Sequence, residues 1–577
     1  MSLSRVDDGF RRTDESKTKR LSWVDRLHHV GYTVFHHAAK HTGVGIVCSV
    51  AYFDPGNWGV DLQAGSQYGY KLLFVVLLSG LFAAFLQVLA SRLGVVTGLD
   101  LASHCRLLFH DRPNHTRVWR WTVLYPLYVL SEIAIVSTDL AELLGSAIAL
   151  VLLFPSLPLW AGVLLTASDV LLILALGNPL RGRPVRLFEL VIAILVLAVL
   201  ICMAIIIARI DVNWGQAFDG FVPSKAIFAN GALYTSVGIL GATVMPHSLF
   251  LGSHLATQDR IASEPLKKVS TFSSFEEELD GPVESRLTRT KHSLKSLWVS
   301  LFRVERSDDT RCSVNRHSDR ENSSLAFVRA HLYHGMVDVV VSLLGFAVII
   351  NAMILILASA VFYYGTSGGH GSESPASLFD AHTLIKNIIG KPAALLFALA
   401  LLASGQSASI VATVAGQSVS EGFLRWKVSP VIRRLLTRLL GLIPSMIVAI
   451  AVGPAGIDTL LVASQVVLSI VLPFITFPLI YLTSSKRIMS VRKSTALSTL
   501  NVPNPAAPPD VDPASNSNDI DIPVATVPAE DIEAVNASDM VDFSSGKFMT
   551  GVGYLIWIVI VVANVYVLVT LGMGEGG

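Results

Sequence analysis

Asp54, Asn57, Met245 and His247 are the residues in this sequence whose types and settings could do chemistry together. The first two lie in the run Ala51-Tyr52-Phe53-Asp54-Pro55-Gly56-Asn57-Trp58, the others in Ala242-Thr243-Val244-Met245-Pro246-His247. A carboxylate and an amide oxygen are hard ligands that suit Mg2+ or Ca2+ as well as any other dication. A thioether is soft and shifts the choice toward transition metals such as Mn2+, Fe2+, Co2+ or Cd2+. A lone Met in an apolar helix is usually core packing. Its place beside Pro246, in a segment that mirrors the Asp54 run, makes it a ligand candidate. Asp54 can hold either a proton or a metal ion, and His247 titrates in the physiological range. We therefore assign His247 to proton handling. Glu132, Asp139 and Glu142 form a second set, near one helical face by their spacing. Three acids in one apolar segment are too costly to face lipid and mark a proton or ion pathway.

The elements that must position these groups are membrane helices. Of 577 residues, 52% are hydrophobic and 15% charged, with a mean hydropathy of +0.57. Soluble proteins carry about 25% charged residues. Apolar stretches fall at 43–66, 70–96, 118–153, 158–177, 186–208, 229–255, 334–364, 392–422, 430–452, 456–483 and 548–573, which predicts eleven spans. Basic residues alternate between connectors as the positive-inside rule requires. Arg106 and Arg112, then Arg181, Arg183 and Arg186, then Lys267, Lys268, Arg286 and Arg289, then Arg425 and Lys427, then Lys486, Arg487, Arg492 and Lys493 follow the even-numbered spans. The N-terminus is thus expected in the cytosol. The sequons at Asn114, Asn322 and Asn536 fall on the same side.

The net charge of +1 shows no nucleic-acid footprint, and the four cysteines form neither a disulfide framework nor a thiolate metal site. There is no cleavable signal peptide pattern. No nucleophile–base constellation, phosphate loop or HExxH motif indicates an enzyme, and no cofactor is expected.

The spans predicted first and sixth are both interrupted. Each has a proline beside an ionisable residue at mid-span, and an Asp there costs about 3 kcal/mol or more on insertion scales. Irregular backbone at that depth persists only inside protein or around a wet cavity. The breaks occupy corresponding positions of two five-helix units of opposite orientation, the arrangement that marks a transporter's central site.

At these residues the chain resembles the Nramp family of proton-coupled metal transporters, from about residue 42 to 490. The markers are Asp54-Pro55-Gly56-Asn57, Met245-Pro246-His247, Ser131-Glu132 with Asp139-Leu140-Ala141-Glu142-Leu143-Leu144-Gly145, and Ala403-Ser404-Gly405-Gln406-Ser407 with Ala415-Gly416-Gln417 and Glu421-Gly422-Phe423. The long polar loops look like those of a fungal or other eukaryotic, Smf-like member. Two positions depart from the family pattern, Ser248 where Asn is common and Gly252 where a His recurs. The resemblance implies an all-α polytopic protein with a LeuT-type 5+5 inverted repeat, broken helices 1 and 6, and eleven transmembrane helices. It implies that the carbonyls of Ala51 and Ala242 join the ligand set and that Gln465 helps close the site. It also implies that arginines at the start of span 9, here Arg433, Arg434 and Arg438, carry or gate the proton. Gln87 and Asn351 are further cavity-lining candidates.

The expected organisation is a basic cytosolic tail (1–41), a first five-helix repeat (42–208) and a second (229–484) holding a disordered cytosolic loop (256–330). A second disordered loop (485–547) and a last span with a short non-cytosolic tail (548–577) complete it. The loops are where regulatory proteins would bind. The expected function is a proton-coupled symport of Mn2+ or Fe2+ toward the cytosol by alternating access, at the plasma membrane or an endosomal or vacuolar membrane. The alternatives are a metal-sensing receptor of the same fold and a magnesium-type carrier.

Overall fold

The computed structural model describes residues 43–166, 186–229, 231–260, 317, 320–365, 376–425, 430–493 and 540–573. The N-terminal tail, span 4 beyond Thr166, and the basic connector residues Arg181, Arg183, Lys267, Lys268, Arg286, Arg289 and Lys427 lie outside these. Each of the eleven expected stretches holds helix. The first is split into α1 (Val44–Val50) and α2 (Pro55–Tyr68). There follow α3 (Leu73–Thr97), the short α4 (Leu101–Phe109), α5 (Tyr125–Leu153), α6 (Leu159–Thr166) and α7 (Arg186–Ile207). The sixth is split into α8 (Ala232–Thr243) and α9 (Pro246–Leu255). The seventh comprises α10 (Leu325–Ser342) and α11 (Ile349–Ala358), joined through a π-helical turn. Then come α12 (Leu378–Ile388), α13 (Lys391–Leu424), α14 (Pro430–Ala451), α15 (Pro454–Ser484) and α16 (Lys547–Gly572). Among the described residues, eight helices are long and apolar enough to cross a membrane.

Why these segments pack follows from their faces. α5 and α13 form the central pair, with α7, α14 and α15 around them, while α2 is held between α11 and α8. Leu197, Ile201, Leu555, Val562 and Ile447 stay exposed on the outer helices, as expected of side chains that meet lipid. Small residues allow the closest approaches: a Cβ on Gly145 of α5 would lie 2.0 Å from Pro55 Cβ. Glycine there lets the break in the first span sit against α5.

At the end of the bundle where α1 begins, its first N–H groups need partners. Asp338 of α10 supplies them, its Oδ2 accepting from Gly43 N at 3.3 Å and Gly45 N at 2.7 Å. The pair Arg260–Glu189, 2.7 Å, sits beside it.

The structure departs from the sequence expectation at the ends of both long loops. Residues 325–330 are already helical, so the seventh helix starts nine residues early. Asn322 donates to Ile488 O (2.8 Å) and Ser490 O (2.7 Å), and Arg320 to Thr97 O and Gly98 O. Strands β1 (Ser490–Arg492) and β2 (Met540–Asp542) pair antiparallel, and Arg92 of α3 donates to Phe543 O at 2.9 Å. Polar composition suggested unstructured chain here, yet these side chains satisfy backbone carbonyls at the end of α3 and beside β1.

His317 docks in the same region, its Nε2 2.9 Å from His104 Nδ1, with the rings stacked and His104 Nε2 2.8 Å from Thr97 Oγ1. Burial holds His104 well below the ordinary value, with His317 and Arg320 adding to the effect. Burial, with Arg320 and Arg487, brings His317 to about 4. Both histidines dock neutral, so their contribution is complete above the ordinary value of 6.5 and is lost as pH falls from there through the docked values. Hydrogen exchange at Ser323, whose N–H bonds to Val96 O, should therefore speed up between pH 7 and pH 5 after correction for intrinsic rates. Protection that is constant over that range would show the pair does not control docking.

Candidate metal site

The two breaks have the same covalent cause. An α-helical carbonyl is taken by the N–H four residues on, and the residues four beyond Ala51 and Ala242 are Pro55 and Pro246, which have none. Each break thus frees one alanine carbonyl by construction. The other carbonyls of the first break are consumed locally. Asn351 Nδ2 donates to Tyr52 O at 2.7 Å, while Ser404 Oγ (2.7 Å) and Trp58 Nε1 (3.2 Å) donate to Phe53 O. This gives a physical task to Ser404 of the Ala403–Ser407 motif and to Asn351.

Asp54 is the N-cap of α2, accepting from Asn57 N at 2.9 Å. Asn57 closes the site: its Nδ2 donates to Asp54 Oδ1 at 2.8 Å and to Ala242 O at 2.9 Å, across the two breaks. Its Oδ1 lies 3.3 Å from Asn351 Nδ2. Met245 is the N-cap of α9 and, like Asp54, fully buried. A Cβ on Gly56 would sit 1.9 Å from Gln465 Nε2, so Gln465 packs directly on the Asp54 turn. Asp54 Oδ2, Gln465 Oε1 and Thr243 Oγ1 are buried and have no hydrogen-bond partner among the described residues. The structure thus brings Asp54, Asn57 and Ala242 into contact, with Gln465 packed on Gly56 and with Ala51 and Met245 at the same two breaks. No group of three His, Cys, Asp or Glu side chains could hold a metal among the described residues.

His247 points from the second break to α5, its Nδ1 3.2 Å from Thr138 Oγ1. Thr138 precedes Asp139, and from there an ion-pair seam runs along α5 and α14. Arg438 Nη1 is 3.4 Å from Asp139 Oδ1, and Arg438 also donates to Ser409 Oγ. Arg433 Nη2 contacts both oxygens of Glu132, at 2.8 and 2.6 Å. Asp139, Arg433, Gly416 and Thr437 lie together at this seam. Glu142 is fully buried on the same helix. Arg434 lies in α14, but its side chain is outside the described residues.

Sequence reasoning missed Thr138 and Thr243, and gave Ser404 no task of its own within its motif, because a hydroxyl in a membrane helix usually bonds its own backbone. It also left the two departures from the family pattern unexplained. They are coupled through Gln87. Ser248 Oγ donates to Tyr52 OH (2.8 Å) and lies 3.2 Å from Gln87 Oε1, and Tyr52 OH donates to Gln87 Oε1 at 3.1 Å. A Cβ on Gly252 would fall 1.5 Å from Gln87 Nε2. Gln87 therefore fills the space that a side chain at 252 would occupy.

The family model described as natural resistance-associated macrophage protein-like, Nramp, matches residues 45–278 and 309–502. The chain belongs to the Nramp family. It is 39% identical over 537 residues to the manganese transporter pdt1 of Schizosaccharomyces pombe, covering 93% of this chain and 86% of that one. It is 36% identical over 541 residues to the iron transporter SMF3 of Saccharomyces cerevisiae, covering 93% and 97%. Among solved structures it is similar to the manganese transporter of Eremococcus coleocola bound to an aromatic bis-isothiourea compound, with a TM-score of 0.62 and 25% identity, covering 93% and 87%. This Nramp protein is accordingly a multi-pass membrane transporter of the LeuT-type fold and not an enzyme.

The seam yields a stability prediction. The side chains of Arg438 and Asp139 are 3% and 1% exposed, whereas Glu132 is 22% exposed. Removing one partner of a buried pair costs roughly 3–5 kcal/mol, because the other charge is left uncompensated. Arg438→Ala should lower the melting temperature in detergent clearly more than Arg433→Ala. Equal melting points would mean that Asp139 finds compensation elsewhere.

Proposed function

We propose that the protein carries Mn2+ or Fe2+ together with protons, by alternating access, toward the side that holds its N-terminus. The observation that carries this reading is the Asn57 carboxamide spanning Asp54 Oδ1 and Ala242 O. An arriving dication takes the place of the amide hydrogens between those two oxygens. The carboxamide then turns to offer its own oxygen, and Ala51 O and the Met245 sulfur complete a mixed set in which sulfur disfavours Mg2+ and Ca2+. Gln465, on α15, covers the ion from one side, and moving α15 away from Gly56 opens that face.

Protons use a separate route. His247, Thr138 and Asp139 lie in sequence between the breaks and the Arg438 and Arg433 pairs. Splitting the two paths lets a proton leave without displacing the ion. The basic connectors favour a cytosolic N-terminus, at the plasma membrane or on an endosome or vacuole, and the flux is then inward.

In proteoliposomes with an imposed pH gradient, Asp54→Ala should reduce Mn2+ uptake to background. Uptake at the wild-type rate would remove the site assignment, and Mn2+ binding without any uptake by the wild type would favour a sensor. Met245→Ala should keep most Mn2+ uptake but let millimolar Mg2+ or Ca2+ compete. Selectivity identical to wild type would show that the sulfur plays no part in discrimination.

A further inference from the structure

Pro473 lies inside α15, and it has no N–H for the carbonyl of Ser469, four residues before it. Unlike the carbonyls freed at the two breaks, this one is taken by another helix. Asn564 of α16, itself buried, donates to Ser469 O through Nδ2 at 2.9 Å, and the same group donates to Ile560 O of its own helix at 2.9 Å. Trp557 Nε1, also of α16, donates to Pro473 O at 2.9 Å. Thr476 Oγ1 donates back to Leu472 O at 3.0 Å, a contact that tends to bend a helix. The backbone ladder of α15 is therefore weakened between Ser469 and Thr476, and two side chains of α16 meet it there.

The two parts of α15 on either side of Pro473 are anchored differently. Toward Ser484, Phe477 packs on Tyr554 and Trp557 with ring centroids 6.2 and 5.5 Å apart, and a Cβ on Gly553 would lie 3.3 Å from Ile480. Ser545 N donates to Thr483 O at 2.8 Å, and Arg92 of α3 donates to Phe543 O. This part, which includes Pro478, is fastened to α16 and to the chain that leads into it.

Toward Pro454, the part that carries Gln465 meets α2 and α8 at glycines. A Cβ on Gly56 would fall 1.9 Å from Gln465 Nε2, one on Gly59 2.7 Å from Leu461 Cδ2, and one on Gly241 2.3 Å from Gln465 O. A glycine has no side chain to interlock, so the contact is close in this arrangement and can part without unpacking. With α16 this part shares a small apolar group that includes Val466, Ile470, Ala563 and Val567. Apolar contact is non-directional. The Asn564 hydrogen bond adds a directional tie.

We propose that Asn564 is a positioning residue for transport. It ties Ser469 O to α16 while Gln465 covers the metal site, and the tie is given up when the Gln465 part of α15 pivots at Pro473 to uncover that site. The last helix thereby sets how readily the site opens. A single amide–carbonyl hydrogen bond moves such an equilibrium about two- to tenfold, which tunes the opening without locking it. The proposal rests on the reading above that Gln465 covers the ion, and its test separates the two.

The measurement is the rate at which a water-soluble maleimide modifies Leu461→Cys in the purified full-length protein in detergent, read from the mass of the peptide that carries it. Leu461 is fully buried where α15 meets Gly59, so its modification reports the opening. Adding Asn564→Leu should speed the reaction about two- to tenfold. Pro473→Ala restores the N–H that Ser469 O lacks and should slow it about fivefold. In that background Asn564→Leu should have no further effect, because the two changes act on one carbonyl. An unchanged rate in Asn564→Leu would overturn the proposal. So would an equal acceleration in both backgrounds, the mark of a general loosening of the fold. Where Asn564→Leu cannot be purified folded, Pro473→Ala decides: a rate no slower than that of Leu461→Cys alone would show that α15 does not pivot there. Saturating Mn2+, run in parallel, should slow the reaction with Asp54 present and have no effect in Asp54→Ala. Failure of Mn2+ to protect Leu461→Cys would refute the covering of the ion by α15, whatever Asn564 does.

Discussion

Two prolines, each placed four residues after an alanine, govern this protein. Pro55 and Pro246 remove the donors that would have consumed the carbonyls of Ala51 and Ala242. The freed carbonyls cannot face lipid, so both breaks must be buried against protein, and they are buried against each other. Asn57 then joins them, hydrogen-bonded to the carboxylate of its own break and the carbonyl of the other. Helix disruption, normally a defect, becomes the means by which polar atoms are brought to the middle of a membrane protein.

The remaining architecture serves that junction. Gly145 lets Pro55 approach α5, while Ser404 and Asn351 satisfy the carbonyls of Phe53 and Tyr52. The charged seam of α5 and α14 is held apart from it. His247 and Thr138 are the link between the two. The polar junction and the charged seam therefore lie on different helices.

Much of this was legible in the sequence, and the reason is local. A proline beside an acid in an apolar run is a one-dimensional signal, as are three acids on one helical face and the alternation of basic connectors. These fix the breaks, the acid-bearing helix and the helix order without knowledge of any contact. What stayed hidden depends on pairs distant in the chain. That Arg433 meets Glu132 while Arg438 meets Asp139 follows from how α14 crosses α5, not from spacing within either. The Gln87 network looked like two unrelated departures, Ser248 and Gly252, until a third residue from another helix filled the gap between them. The expectation of irregular chain up to residue 330 and from residue 485 rested on polarity alone. Asn322 and Arg320 are polar because they bind backbone carbonyls.

The pairing of β1 with β2 bears on how such a protein tolerates change. Arg492 stands opposite Met540 in the antiparallel register, so the chain leaves and re-enters the bundle at adjacent points. Closing a loop whose ends are already pinned together costs little more as the loop grows, about 0.6 kcal/mol for each doubling. The connection between those strands is thus free to lengthen, shorten or accept an inserted domain over evolutionary time, while the helices on either side keep their positions.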